Sequence, residues 1–134
     1  MVILAYIIYR VTIYNKPIYG DDIMNKRILK VSPLTESSFY ILLSLQNPLH
    51  GYGIIKKVER LTNNRLKLAA GTVYGAINTL LKNKLIELTD ERNGIRGKKY
   101  YRATVLGKKR IYHEIDRLRE MINNGINEIG DYYE

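Results

Sequence analysis

Apolar residues in the stretch GTVYGAINTLLKNKLIEL gather on one side of a helix, with Val73, Ala76, Ile77, Leu80 and Leu81 at i, i+3, i+4, i+7, i+8 spacing. At about 100° per residue, the opposite side carries Gly75, Asn78 and Lys82, with Tyr74 on one margin and Thr72 and Thr79 on the other. A merely solvated face would show glutamates and lysines in i, i+4 pairs, and this one shows none. Its small, polar, lightly cationic residues predict a contact surface.

Upstream, Thr35 predicts an N-cap for a helix that starts at Glu36 and runs through ESSFYILLSLQN to Pro48. That helix is apolar almost all round. Phe39, Tyr40, Ile41, Leu42, Leu43 and Leu45 cannot all face one core, which predicts cover from a second chain. HGYGIIKKVERLTNN predicts a second helix with a stripe of Ile54, Ile55, Val58 and Leu61, a turn supported by His50 before it, and Asn63 and Asn64 ending it.

Downstream of the first-quoted helix, LIELTDERNGIRGKKYYRAT alternates as two strands. Ile86 and Leu88 lie on the first, Tyr101 and Ala103 on the second, and Asn93-Gly94 with Gly97 supply turn chemistry. Thr104 then caps a long helix in which Ile111, Ile115, Leu118 and Ile122 are spaced four, three and four, a heptad seam. Three helices, a hairpin and a long helix predict a mainly α fold with a small β-hairpin wing: a winged helix-turn-helix plus a C-terminal helix. In that architecture the third helix is the recognition helix, and the wing reaches the neighbouring nucleic-acid backbone or minor groove.

Charge sharpens this picture. The 134-residue chain has a formal net charge of +9 and a pI near 9.7, which favours nucleic acid or an anionic membrane surface as partner. Arg92, Arg96, Lys98, Lys99, Arg102, Lys108, Lys109 and Arg110 follow one another with no acidic residue between them. Eight cations without a counter-charge would be tolerated better beside phosphates. The absence of cysteine excludes a disulfide framework and a thiolate zinc site, and suits a reducing compartment, by default the cytoplasm. His50 and His113 have no carboxylate at a metal-ligand spacing, Gly51-Tyr52-Gly53 matches neither phosphate-cradling pattern, and no nucleophile, base and orienter assemble. Neither an enzyme nor a metal or other cofactor is expected.

The opening MVILAYIIY is too short to span a bilayer before Arg10 and lacks the flanks of a signal peptide. Two readings stay open: an element covering the core, or a start codon called too early, with Met24 the true beginning. The second is favoured, because Ile, Tyr, Val and Asn recur there in no clean period.

Four segments, LTESSFYILLSL, HGYGI, GTVYGAINTLLKNKLI and KKYYRATVLGKKR, resemble the PadR-like transcriptional regulators in order and spacing over residues 34 to about 122. The single C-terminal helix is similar to the family's compact subgroup of small dimeric repressors. The resemblance implies a homodimer on double-stranded DNA, and a small, often aromatic effector near the dimer interface in some members. Three departures stand out. Ala70 replaces a frequent proline, Lys84 a usual glycine that would end the recognition helix, and Asn78 and Thr79 fill positions where basic residues are common. Lys84 or Asn83 is therefore expected to adopt a left-handed conformation.

The expected organisation is an extension over 1–33, with 1–23 a start-site artefact, a winged-helix DNA-binding domain over 34–104, a dimerisation helix over 105–124 and a tail over 125–134. Expected phosphate contacts are Thr72, Tyr74, Lys82, Arg96, Lys98 and Lys99, and expected base contacts lie on the Gly75, Asn78, Thr79 face, where glycine permits close approach and asparagine pairs well with adenine. The expected dimer interface comprises Phe39, Leu42, Ile111, Ile115, Leu118 and Ile122. The rival readings are a winged helix that docks an acidic protein, which would need an apolar outer face on the third helix, and a basic membrane-surface protein using MVILAYIIY.

Overall fold

The computed structural model describes residues 33–89 and 97–130. Thr35 caps α1 (Glu36–Ser44) by accepting the Ser38 N–H, and His50 caps α2 (Gly51–Leu61) by accepting the Gly53 N–H on Nδ1 at 3.1 Å. α3 spans Ala70–Lys82, β1 Ile86–Leu88, β2 Tyr101–Ala103 and α4 Val105–Ile129. The two strands pair antiparallel, with Ile86 opposite Ala103 and Leu88 opposite Tyr101. The fold is mainly α with a two-stranded wing, as the hydrophobic pattern predicts.

Helix ends follow local chemistry. After α2, Asn63 and Asn64 take positive φ values of 50° and 62°, and the Asn64 N–H returns to the Glu59 carbonyl at 2.7 Å. α3 closes in the same way: the Lys84 N–H donates to Leu81 and the Leu85 N–H to Leu80, the paired bonds of a Schellman motif. Lys84, and not Asn83, takes the left-handed position, at φ 59°. A lysine there costs on the order of 1 kcal/mol relative to glycine.

Three features differ from the sequence expectation. α1 stops at Ser44 rather than reaching Pro48, because the chain leaves the helix to join the wing: the Leu45 carbonyl accepts the Ala103 N–H at 2.7 Å, and Leu49 bridges Tyr101 in both directions at 3.0 and 2.9 Å. α1 also finds its cover within its own chain, since it packs against α2, α3 and α4 at once. Ile41, Leu42 and Leu45 are fully buried, while Phe39, Tyr40 and Leu43 lie half-buried against the core. Finally, α4 runs to Ile129, past the expected end at 124, and closes on Gly130 at φ 74°. The Asn93-Gly94 turn lies outside the described residues.

The core joins Ile41, Leu42 and Leu45 to Ile54, Val58, Val73, Ile77 and Leu80, and continues through Leu85, Ile86, Tyr101 and Ala103 to Ile111. Leu42 and Ile111 are thus consumed inside the chain, with 0% and 4% exposure, and neither retains surface for the interface in which it was expected. At the joint between wing and α4, Thr104 accepts the Gly107 N–H, donates its hydroxyl to the Lys84 carbonyl at 2.7 Å and donates its N–H to the Leu85 carbonyl. Gly107 is obligatory here, because a Cβ would lie 2.0 Å from the Leu85 oxygen.

Candidate nucleic-acid interface

α3 buries Val73, Ile77 and Leu80 and turns Thr72, Tyr74, Gly75, Asn78, Thr79 and Lys82 outward, all of them exposed. From Thr72 to Lys82 the face is about 15 Å long, a length that fits a major groove. Neither Gly71 nor Gly75 has a neighbour within 4 Å of the position its Cβ would take. Mid-helix glycine is unfavourable by about 1 kcal/mol relative to alanine, so Gly75 has a cost and no packing role in this chain. The gap that Gly75 leaves among these side chains lets another backbone approach.

Thr72 is not the cap of α3. The cap position belongs to Ala69, which makes no side-chain hydrogen bond to the helix, and Ala69 through Thr72 are all exposed. The helix therefore begins without a side-chain acceptor for its first N–H groups, and its dipole favours an anion there. The Thr79 hydroxyl donates to the Gly75 carbonyl at 3.2 Å, which leaves its oxygen to accept, and Asn78 beside it is exposed. Asn83, one turn beyond Thr79, donates to the Thr79 carbonyl at 3.0 Å.

Tyr74 has two environments. Its side chain is 53% exposed, yet the ring tip rests on Gly51 at the start of α2. It also lies close enough to Tyr101 for the two phenols to interact: burial, and then Tyr74, push the Tyr101 phenol above its ordinary value. Packing and an outward role coexist in this residue.

Cations of the basic run, and Lys82 of α3, differ in their surroundings. Lys98 and Lys99 are exposed on the approach to β2, and Lys82 is exposed at the end of α3; none forms an ion pair with a described residue. Arg102 is matched across the hairpin by Glu87 at 2.8 Å. Arg110 is buried in α4 and paired with Glu114 at 3.0 Å, and Arg117 reaches the same carboxylate at 2.8 Å. Desolvation pushes the Arg110 guanidinium below its ordinary value, against the opposing pull of Glu114. The expectation of eight unmatched cations is therefore corrected: Glu87 and Glu114 lie outside the run in sequence and reach it in space. Arg92 and Arg96 lie outside the described residues.

Sequence reasoning missed Tyr52, which is 60% exposed on α2, stacks beside His50 and carries the Lys56 ammonium 5.4 Å from its ring centroid. The HGYG motif was its signal. It also missed the outer stripe at the far end of α4, where Met121, Ile126 and Ile129 are 56%, 58% and 68% exposed beside the expected Leu118 and Ile122 at 37% and 59%. Ile115 sits half-buried against the core.

Among the described residues, no group of three His, Cys, Asp or Glu side chains is placed to hold a metal ion, and no helix is long and apolar enough to cross a membrane. A family model described as the transcriptional regulator PadR-like family matches residues 39–113. No curated protein matches the chain. A transcriptional regulator of Clostridium thermocellum is similar in structure, with a TM-score of 0.57 and 23% identity over 74% of this chain and 93% of that one. A PadR family transcription regulator of Clostridium difficile R20291 gives 0.58 and 23% over 71% and 98%. BpsR of Bordetella bronchiseptica, whose DNA binding is regulated by 6-hydroxynicotinic acid, gives 0.55 and 17% over 81% and 72%.

Proposed function

The chain belongs to the PadR-like family of transcriptional regulators, and from that premise we propose that it is a cytoplasmic homodimeric repressor that inserts one α3 per half-site into a palindromic operator. The outer face of α3 carries this reading: six outward residues, three of them hydroxyl-bearing, one amide and one ammonium, on a helix whose first turn has no side-chain cap. Thr72, Tyr74, Lys82, Lys98, Lys99 and Arg96 supply phosphate affinity, and Gly75, Asn78 and Thr79 face the base edges. A docked protein would favour an apolar outer face on α3, and the residues there are polar or small.

The second copy sits against the far half of α4. Leu118, Met121, Ile122, Ile126 and Ile129 leave an exposed apolar stripe that a homodimer would cover. Ile115 and Phe39, both half-buried against the core, are assigned to the same contact, while Leu42 and Ile111 take no part. An isologous pairing presents the two α3 helices about a two-fold axis, so operator symmetry mirrors protein symmetry. A small effector bound between the copies would act by changing that presentation.

Selection of bound duplexes from random DNA tests the proposal. An inverted repeat with half-site centres about one helical turn apart is expected. Failure to enrich any sequence, with binding uniform across duplexes, refutes it. Sedimentation of Ile122→Glu, expected to shift the protein to monomer, checks the interface separately. A chain beginning at Met24 should match the full chain in both assays, and its liposome binding separates the membrane reading.

A further inference from the structure

Gly51 opens α2 without needing glycine's backbone freedom, since its φ is not in the left-handed region. Space is the reason for it. A Cβ on Gly51 would lie 2.8 Å from the Tyr74 hydroxyl oxygen, 3.0 Å from Cζ and 3.3 Å from Cε1, three atoms at the tip of one ring. Gly53, one turn edge away, would meet only ordinary contacts at 3.4 Å and beyond, and Gly71 and Gly75 would meet nothing. Among these four glycines, Gly51 alone has the place of its missing side chain filled by another residue.

We propose that Gly51 is a positioning residue for DNA binding, its bare Cα serving as the seat that aims the Tyr74 hydroxyl from α3 toward the phosphate backbone. The inference rests on the reading of the α3 outer face as the DNA surface. Tyr74 has freedom to lose: its side chain is 53% exposed and no hydrogen bond fixes its hydroxyl among the described residues, so the ring direction is set by what it lies on. Tyr101, itself 6% exposed on the wing, lies near enough for the two phenols to interact electrostatically. Restoring an ordinary 3.4 Å contact from 2.8 Å moves the hydroxyl by roughly 0.6 Å. An O–H···O bond spans only about 2.5 to 3.0 Å, so that displacement carries the group out of reach of a phosphate held by its other contacts. The ring tip is the end of a mobile side chain, so the fold accommodates the change and binding does not.

The test uses the full chain with Gly51→Ala, Tyr74→Ala and the double variant, read by anisotropy on a labelled mixed-sequence duplex and by thermal melting. Gly51→Ala is expected to weaken duplex binding roughly fivefold or more, the loss of one hydrogen bond per half-site, without lowering the melting temperature. In the Tyr74→Ala background the same substitution should change nothing further. Equal losses in both backgrounds, or wild-type binding by Gly51→Ala while Tyr74→Ala is weakened, overturn the proposal. If Tyr74→Ala alone binds as wild type, it is the DNA role of Tyr74 that fails, and the proposal fails with it. Should Gly51→Ala not fold, the double variant folds if the ring is the obstacle and stays unfolded if it is not.

Discussion

Replacing Lys98 and Lys99 with alanine should flatten the salt dependence of DNA binding while leaving sequence preference intact. Both side chains are exposed and neither forms an ion pair with a described residue, so each can neutralise a phosphate without first leaving an internal partner. Each phosphate contact contributes about 0.9 to the slope of log affinity against log salt. The proposed dimer would lose four such lysines, so the slope should fall by roughly 3.6. Between about 50 and 200 mM salt, that difference amounts to on the order of a hundredfold in affinity. Arg102→Ala is the internal control, because its guanidinium is already matched by Glu87 at 2.8 Å, and its effect on the slope should be distinctly smaller. Asn78→Ala should do the reverse, keeping the slope and relaxing preference at one base pair per half-site by about 1 to 3 kcal/mol. Titrations of operator and mixed duplex across a salt series read both quantities. If the Asn78 variant kept its preference while the lysine variant lost it, the roles assigned to α3 and the wing would be reversed.

Gly75→Ala should raise stability by about 0.8 to 1.0 kcal/mol, because the new methyl meets open space in a mid-helix position, yet weaken duplex binding; a loss in the thermal melt would contradict the open environment. Glu114→Gln should cost about 3 to 5 kcal/mol in urea unfolding, since it strips the counter-charge from a buried arginine; an unchanged midpoint would show the pair to be dispensable. Tyr101 holds its proton more tightly folded than unfolded, so its stabilising contribution is complete below the ordinary phenol range and is lost as pH rises through the raised value. Tyr101→Phe should therefore shallow the alkaline decline in melting temperature, and an identical pH profile would sink that assignment.

Much of this architecture was legible because its signals are local. Period 3.6 in α3, the Thr35 and Thr104 caps and the alternation around Ile86 and Tyr101 depend on neighbours a few residues away. So does the outward face of α3, since whatever buries Val73 and Ile77 must expose Asn78. What escaped needed distant partners. Leu45 leaves α1 early because β2, more than fifty residues on, takes its carbonyl. Leu42 looked surplus to one core because α4 could not be placed against α1. Arg110 looked like part of a cationic surface until the helix turned it inward onto Glu114. The Gly51 seat joins two helices and leaves no periodic trace.

The joint at Thr104 makes α4 a lever. Gly107 presses on the Leu85 carbonyl with no room for a methyl, and Thr104 ties the start of the helix to the end of α3 through both its hydroxyl and its N–H. From Thr104 α4 extends for 25 residues, about 37 Å. With so little slack at the fulcrum, a displacement of roughly 2 Å at the far end is returned as a tilt of about 3° in everything attached to the near end. In the proposed homodimer, the registration of side chains along the distal stripe would thus act as a gauge for the orientation of α3. Single-methyl changes around Ile126 and Ile129, remote from any nucleotide, should alter which operator spacing is tolerated before they alter which bases are chosen.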